Sequence, residues 1–526
     1  MSVDTPEKQQ TADIKPGSLL RSSGLVGVMT MLSRVLGLIR DIVIANFFGA
    51  GAGADAFFVA FKIPNFMRRL FAEGAFSQAF VPVLSEYRAT AAPADIRILV
   101  NSVAGTLGVV LCVMTAVAVL AAPVLTALFA PGFLDEEVKF GLAVDMLRIT
   151  FPYLFLISMT AFAGAVLNSY GNFAVPAFTP VLLNLSLIGS VYFITPFLDE
   201  NVMALAWGVM IAGFAQLIFQ MPFLARLNLL PKPRVDRHHE GVKRILKLMT
   251  PALFGVSVSQ VNLLLDTVLA SFLVTGSVSW LYYSDRLSEL PLGVFGIAIA
   301  TVILPSLSRK HATANSTEFS ATLDWAMRAV MLIGVPAALA LAILAVPLIS
   351  TLFQRGAIVD NDVLMSAKSL RAYAAGLLFF MLIKVLATGY FSRQDTKTPV
   401  KVGVIAMVSN MVLNLMLILP LAHAGLALAT SLSAALNAGL LWRGLLRQGV
   451  YTVQAGWWRF VGQLGVASLS MVGFLIWLNP SDQFWLSADI WQKIAWISGL
   501  CIGGAATYFI LLFIVGVRVR HFKMQD

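Results

Sequence analysis

Long apolar runs, separated by short polar segments, fill the chain from near residue 20 to near residue 517. Most runs reach about 20 residues, the length at which a helix crosses the hydrocarbon core of a bilayer. A transmembrane β-barrel would instead show short segments of alternating polarity. The pattern therefore predicts an all-α polytopic membrane protein.

The runs divide into 14 predicted transmembrane helices. Their bounds are 22–46, 54–87, 98–129, 138–168, 175–197, 201–228, 244–274, 278–308, 320–354, 363–391, 398–420, 423–447, 456–478 and 488–517. The second and eighth are the least hydrophobic and contain Pro64 and Pro291. Because proline removes a helix hydrogen bond, we expect these two helices to be kinked or broken.

Composition agrees with a membrane protein. Of the 526 residues, 58% are hydrophobic and 12% are charged, whereas a soluble domain has about 25% charged residues. Cys112 and Cys501 lie far apart in apolar runs, so we interpret them as packing residues and predict no disulfide and no zinc site. The polar N-terminus lacks an apolar core and cleavage site, so it is expected to be a disordered cytoplasmic tail.

Basic residues alternate between the connecting segments. One set of segments, together with both tails, contains most of the lysines and arginines, including the run at 226–247. The opposite segments contain Lys139 and Arg355 and are otherwise acidic. The positive-inside rule therefore predicts that both termini are cytoplasmic.

Two parts of the chain resemble each other. FFVAFKIPNF (57–66) followed by VPVLSEY (81–87) matches LYYSDRLSEL (281–290) followed by LPSLSRK (304–310), and Pro82 and Pro305 are 223 residues apart. LNSYGNFAVP (167–176) similarly matches ATGYFSRQDTKTP (387–399). An offset of six helices preserves orientation, so the repeats are predicted to be parallel lobes around a central cavity.

This repeat defines the predicted domains. They are a tail (1–18), an N-terminal six-helix lobe (19–230), a basic cytoplasmic linker (231–243), a C-terminal six-helix lobe (244–450), and two additional helices with a cytoplasmic tail (451–526).

Four arginines lie inside stretches that are otherwise apolar enough to span a bilayer: Arg34, Arg40, Arg68 and Arg286. Each would cost roughly 2.5–3.5 kcal/mol at the centre of a lipid-facing helix. Such groups must face water, a counter-charge or an anionic ligand. Since Arg34 and Arg40 are six residues apart, their side chains point about 120° apart on a helix and both can border one wide cavity.

Further polar residues accompany the arginines in the two repeats. They are Asp55, Lys62, Asn65, Glu73, Ser279, Asp285 and Glu289. One interpretation is a set of ion pairs that tie helices together or line a vestibule. The other is an anion site in a hydrated cavity, since the arginine fork donates two parallel hydrogen bonds to phosphate and keeps its charge.

Other candidate chemistry is sparse. Asp266 is an intramembrane acid, and either a cation site, such as a sodium site, or a hydrogen-bonded carboxyl group would explain it. His238 and His239 have no suitably spaced partner, so no metal site is predicted. The sequence contains no Walker A loop, GxGxxG, HExxH or GxSxG, which disfavours an ATP-driven pump or a standard hydrolase.

Four segments, SRVLGLIRD, FFGAGAGADAFFVAFKIPNFMRRLFAEGAFSQAFVPVLSEY, GSVSWLYYSDRLSELPLGVFG and SRQDTKTPVK, closely resemble the MurJ (MviN) family. These are bacterial lipid II flippases of the multidrug/oligosaccharidyl-lipid/polysaccharide exporter superfamily. The resemblance covers the chain from about residue 19 onward. It implies 14 helices, with the final pair at a lipid-facing groove that receives part of a polyprenyl tail.

The resemblance also implies function. The expected substrate is lipid II, undecaprenyl-diphosphate-linked disaccharide-pentapeptide, moved from the inner to the outer leaflet of the bacterial cytoplasmic membrane for peptidoglycan synthesis. The charged and polar residues named above match the family's cavity residues. Expected partners are lipid II, membrane lipids and cell-wall synthesis proteins, with no nucleic acid. No cofactor is expected, and either the membrane potential or a coupled cation would supply energy.

Three other functions compete with this prediction. A cation-coupled drug exporter of the same superfamily would favour an acidic, aromatic cavity, whereas these residues lean basic. A scaffold for cell-wall enzymes would not need the cavity charges. A polyprenyl-linked glycosyltransferase would need a catalytic acid beside a sizeable extracytoplasmic domain, and the predicted loops are short.

Overall fold

The computed structural model describes residues 16–70, 76–236 and 238–518, and every regular element within them is helical. The α-helices are α1 (Pro16–Phe48), α2 (Ala52–Arg68), α3 (Ser77–Thr90), α4 (Pro93–Leu120), α5 (Ala122–Phe129), α6 (Glu137–Thr150), α7 (Tyr153–Ser169), α8 (Ala174–Phe193), α9 (Met203–Arg226), α10 (Glu240–Ser271), α11 (Ser277–Pro291), α12 (Ile297–Ala312), α13 (Ser316–Ile343), α14 (Ala345–Phe353), α15 (Asp360–Phe391), α16 (Lys397–Arg447), α17 (Trp457–Leu478), α18 (Asp482–Ser487) and α19 (Ile490–Ile514).

The two spans expected to be irregular are interrupted. The eighth is divided by a π-helical turn, Leu292–Gly296, that follows Pro291 at the end of α11. In the second, α2 ends at Arg68 and α3 begins at Ser77. Pro64 itself lies inside α2, and the regular α-helix ends four residues after it, where residues 69–70 become π-helical.

Three other predicted spans consist of two helices each, namely α4 with α5, α6 with α7, and α13 with α14. Conversely, the predicted spans 398–420 and 423–447 form the single element α16, which turns sharply at Ala422 (φ 47°, ψ −130°). Pro420 stands just before this turn and cannot donate the hydrogen bond that would continue the helix.

Ten helical segments in the described part of the chain are long and apolar enough to cross a membrane. Large apolar side chains cover their outer faces; Leu120 is 82% exposed and Leu419 is 90% exposed. These faces suit hydrocarbon rather than water. The result establishes a polytopic helical membrane protein and is compatible with 14 spans, a count that stays a prediction.

The helices pack in sequence-local groups. In the first part of the chain, α1 packs on α8, α8 and α7 pack on α9, and α2 packs on α6. In the second part, α15 packs on α11, α13 and α16, and α12 packs on α13. The groups meet where α2 contacts α11 and α3 contacts α10. The two segments that resemble each other in sequence, in α2 and α11, therefore face each other at the centre.

Candidate substrate cavity

A fully buried carboxylate, Asp41 on α1, joins two arginines from different parts of the chain. Its Oδ1 accepts hydrogen bonds from Arg40 Nη2 at 2.6 Å and from the Tyr282 hydroxyl at 2.9 Å. Its Oδ2 accepts from Arg286 Nε at 2.6 Å. One acid thus binds two permanently charged guanidinium groups, and this ion cluster retains a net positive charge.

Arg40 is 5% exposed and makes further contacts. Its Nη1 donates to Asn184 Oδ1 at 3.1 Å, and its Nη2 donates to the Tyr282 hydroxyl at 2.9 Å. Asn184 Nδ2 in turn donates to the Ser33 carbonyl oxygen at 2.9 Å. This amide therefore fixes the Arg40 guanidinium relative to the α1 backbone.

Sequence reasoning missed three members of this network as site residues: Asp41, Asn184 and Tyr282. Asn184 did carry a signal, because an amide inside the apolar α8 needs an interhelical partner. Asp41 follows Arg40 directly in the sequence, and this adjacency gives no sign that Asp41 also binds Arg286. Tyr282 belongs to the LYYSDRLSEL repeat but gave no separate sign of its role.

A cavity of about 310 Å³ lies beside the network. The predicted residues that line it are Arg34, Arg40, Arg286 and Glu289, and its other lining residues are Ser33, Gly37, Leu38, Pro180, Leu183, Asn184 and Leu290. Both arginines of α1 border this one space, as their spacing permits. Arg286 also donates to Glu289 at 3.1 Å, and its side chain remains 34% exposed.

Arg34 differs from the other two cavity arginines. Within the described residues, no acid pairs with it, whereas Arg40 and Arg286 both bind Asp41. Three arginines, Arg34, Arg40 and Arg286, line the cavity, and two acids, Asp41 and Glu289, pair with them, so basic groups outnumber acidic ones by one. The cavity can therefore attract an anion, with Arg34 as the least compensated donor.

A second polar group lies around Lys62 and includes two other predicted residues. Asp266 and Asp285 are the acids within electrostatic range of Lys62. Asp266 Oδ1 accepts from Asn414 Nδ2 at 2.8 Å, and Asn414 Nδ2 also donates to Asn410 Oδ1 at 3.0 Å. Of the two interpretations of Asp266, the hydrogen-bonded carboxyl group is present in this conformation.

Asp55 and Ser279 do not line the cavity. They lie near the N-terminal ends of α2 and α11, whereas the cavity residues Arg286 and Glu289 lie near the C-terminal end of α11. Asp55 Oδ2 accepts from the Gly276 N–H at 2.8 Å, and its Oδ1 accepts from the Ser279 N–H at 2.9 Å and hydroxyl at 2.6 Å. Lys139 Nζ lies 3.4 Å from Asp55. The carboxylate therefore caps the N-terminus of α11 and joins the two parts of the chain.

Hydrogen bonds to backbone carbonyl oxygens join the two parts of the chain at this same end. The Ala357 N–H donates to the Asn46 carbonyl oxygen at 2.9 Å, and the Tyr283 hydroxyl donates to the Gly49 carbonyl oxygen at 2.8 Å. Gly356 adopts a left-handed conformation (φ 56°), and a Cβ there would overlap Asn46. Such close backbone approach requires glycine. We call this set of contacts, made by residues 46–55 with 276–283 and 356–357, the closed face.

The remaining predicted residues lie near the end of α2. Arg68 Nε donates to Asn65 Oδ1 at 3.2 Å, a contact between residues three apart on one helix. Glu73 falls outside the described residues. In the part of the chain that the structure describes, Lys62, Asn65, Arg68 and Asp285 do not line the 310 Å³ cavity, so their assignment to the substrate stays a prediction.

The sequence of this chain is similar to those of known proteins over almost its whole length. The family model described as "Lipid II flippase MurJ" matches residues 44–491. A Vibrio cholerae protein named "Probable lipid II flippase MurJ" is 52% identical over 512 residues, covering 96% of this chain and 98% of the relative. A Burkholderia cenocepacia "Lipid II flippase MurJ" is 41% identical, covering 97% of this chain and 99% of the relative.

Solved structures give the same result at the level of fold. The structure "Lipid II flippase MurJ, inward closed conformation" superposes with a TM-score of 0.78 at 26% identity, covering 93% of this chain and 98% of that one. An inward-facing multidrug resistance MATE family transporter of the MOP superfamily superposes with a TM-score of 0.65 at 13% identity, covering 81% and 98%. The second likeness concerns the fold alone.

Proposed function

The chain belongs to the lipid II flippase MurJ family, and on that premise we propose that it moves lipid II from the inner to the outer leaflet of the bacterial cytoplasmic membrane. It would thereby supply the undecaprenyl-diphosphate-linked disaccharide-pentapeptide for peptidoglycan and cell-wall synthesis and so support cell shape. This is transport rather than catalysis, with lipid II and the surrounding membrane lipids as partners.

The observation that carries the proposal is the convergence of Arg34, Arg40 and Arg286 on one cavity. A diphosphate offers several oxygens to planar guanidinium forks, which bind such groups with paired hydrogen bonds. Asp41 and Glu289 partly balance the arginines when the cavity is empty. A bound anion would compete with these acids for the arginines, so loading would loosen the contact between α1 and α11.

The cavity volume supports a cycle of opening and closing. About 310 Å³ suits a diphosphate with some water, but a disaccharide-pentapeptide is far larger. The rest of the headgroup would therefore extend beyond this space or need the helices around the cavity to separate. We propose that the lobes 19–230 and 244–450 rock against each other, as in transporters built from repeats, with the polyprenyl tail remaining in lipid.

The distribution of basic residues indicates at which side of the membrane the closed face lies. With both termini on the cytoplasmic side, as the positive-inside rule predicts, the closed face lies at the periplasmic side. This conformation is then the one closed to the periplasm, and outward release requires separation of Asp55 from Gly276 and Ser279. The lipid-facing pair α17 and α19 would receive part of the polyprenyl tail.

Energy is proposed to come from the membrane potential, worth about 2.3 kcal/mol per charge per 100 mV, or from a cation coupled at Asp266. The oxygens of Asp266 and Asn410, with Asn414 Oδ1, which has no hydrogen-bond partner among the described residues, form a donor set that suits a hard cation. Flipping assayed in proteoliposomes with only a potential, or only a sodium gradient, would discriminate between these sources.

A drug exporter of the same superfamily is the alternative suggested by the fold. The cavity lining disfavours it, because three arginines face the space and a cationic drug would be repelled. The scaffold alternative differs in another way, since it predicts that the cavity charges are dispensable.

The deciding experiment replaces the cavity arginines in cells depleted of the native protein. We expect Arg34→Ala, Arg40→Ala and Arg286→Ala each to abolish growth support and outward appearance of lipid II while the protein still reaches the membrane. Arg244→Ala is the matched control, because Arg244 pairs with Glu86 where two predicted spans meet the cytoplasmic side, and its side chain is 52% exposed. Full complementation by the three cavity variants would reject the anion cavity.

A further inference from the structure

The turn between α11 and α12 is π-helical over Leu292–Gly296 and directly follows the cavity-lining residues Glu289 and Leu290. A π-helical turn holds an extra residue compared with an α-helix, and such turns occur frequently at functional sites. Here the turn brings a backbone segment of α11 and α12 against the side chain of a residue on α1.

That side chain is Arg34. Gly293, the second residue of the turn, has no Cβ, and the Arg34 guanidinium group occupies the space that a Cβ at residue 293 would take. Arg40 and Arg286 are held by Asp41, but no acid holds Arg34 within the described residues. Packing on the bare backbone at Gly293 is therefore what limits where its guanidinium group lies.

We propose that Gly293 is a positioning residue for the headgroup: it seats Arg34 so that its free charge faces the diphosphate of the substrate. This inference rests on the proposed function. Any side chain at residue 293 would displace the guanidinium group. Because that group is the far end of a flexible side chain, it would move instead of the helix backbone, so the fold would survive while the contact with phosphate would be lost.

The test measures binding of undecaprenyl diphosphate to the purified full-length protein. We expect Gly293→Ala to weaken binding about tenfold, the loss typical of one charge-assisted hydrogen bond. Arg34→Ala should weaken it by at least as much. In the Arg34→Ala background, Gly293→Ala should add nothing, because the group it displaces is already gone.

Gly296→Ala is the matched control in the same turn. Its Cβ would approach the side chains of Leu292 at 3.1 Å and Met381 at 3.2 Å, away from Arg34, so binding should remain near that of the unaltered protein. Thermal unfolding of each variant checks the fold. If Gly293→Ala does not fold, Arg34→Lys with Gly293→Ala serves instead, and it should bind like Arg34→Lys alone.

The possible outcomes separate the two proposals. Unchanged affinity of Gly293→Ala, or an equal loss in the presence and absence of Arg34, overturns the role of Gly293 and leaves the flippase assignment intact. Failure of the unaltered protein to bind the probe, or indifference of binding to Arg34→Ala, overturns the cavity proposal together with this inference.

Discussion

At the scale of single residues, Asp41 connects two of the arginines that line the cavity, Arg40 and Arg286. It is fully buried and accepts from two guanidinium groups and one hydroxyl. Removing one partner of a buried ion cluster leaves the others without compensation, which typically costs about 3–5 kcal/mol. The carboxylate thus determines where both arginines point as well as how strongly α1 and α11 adhere.

We therefore expect Asp41→Asn to lower the thermal unfolding temperature and to abolish flipping in proteoliposomes. The neutral amide keeps the shape of the side chain but loses the charge that holds Arg40 and Arg286. Glu289→Gln is the control, because Glu289 is half exposed and contacts only Arg286 in the ion cluster; its effect should be smaller. Normal stability and transport in Asp41→Asn would show that the ion cluster is dispensable.

At the scale of elements, the last two long helices are attached to α13. Asp324 on α13 accepts from the Tyr451 hydroxyl at 2.7 Å and from Trp457 Nε1 at 2.6 Å. It also forms an ion pair with Arg328, whose Nε lies 2.7 Å from Asp324 Oδ2. Near the other end of the pair, Lys493 donates to Gln354 of the 345–359 segment at 2.7 Å. Contacts at both ends indicate that α17 and α19 move with the second part of the chain.

Asp324→Ala should detach the start of α17 from α13. Two donors would lose their shared acceptor and Arg328 would lose its counter-ion, so we expect a loss of several kcal/mol of stability and faster proteolysis of the segment 448–456. The measurement is limited proteolysis followed by mass spectrometry in detergent. Ser320→Ala, which removes only the bonds to Thr452, is the control. Equal protection in both variants would disprove this attachment.

The turn of α16 illustrates how one local constraint organises an element. Ala422 has φ 47° and ψ −130°, outside the helical region, and His423 immediately after it lies against the Trp280 ring at 4.9 Å. Trp280 Nε1 donates to Asp362 at 2.9 Å. An unfavourable backbone conformation persists only where the surroundings fix it, and here the surroundings include α11 and α15.

At the scale of the whole molecule, the closed face makes transport depend on relative movement of the two parts. Its contacts cross from α1 and α2 to α11 and to the segment before α15. Many of these contacts use backbone atoms, so they cannot rearrange through side chains alone. The two parts of the chain must therefore move apart as rigid units before a headgroup can leave through the closed face.

A disulfide across the closed face should stop flipping reversibly. The Ala357 N–H lies 2.9 Å from the Asn46 carbonyl oxygen, which places these residues near the Cα separation a disulfide needs. We expect Asn46→Cys with Ala357→Cys, in a background without Cys112 and Cys501, to lose flipping on oxidation and to recover on reduction. Binding of undecaprenyl diphosphate from the cytoplasmic side should persist.

The control for this prediction is a disulfide within one part of the molecule. Ser320 and Thr452 have hydroxyl oxygens 3.2 Å apart, so Ser320→Cys with Thr452→Cys should cross-link without affecting transport. If the bridge between residues 46 and 357 formed fully and flipping continued, movement at the closed face would not belong to the transport cycle.

The sequence by itself determined that this is a helical membrane protein, where most of its helices lie, and that arginines occur inside apolar segments. A long apolar run is favourable in lipid and an arginine inside such a run is costly, whatever their neighbours in the fold are. Both features can therefore be identified from the sequence alone. The same reasoning located Arg34, Arg40, Arg286 and Glu289, which the structure brings to one cavity.

Only the tertiary structure decided which charges meet. Asp55 and Ser279 are polar residues of the kind expected in a cavity, yet they bind each other at the closed face. Asp41, Asn184 and Tyr282 come from α1, α8 and α11, and their hydrogen bonds span up to 245 residues. Partner choice depends on distances between helices far apart in the chain, and no local pattern of polarity encodes those distances.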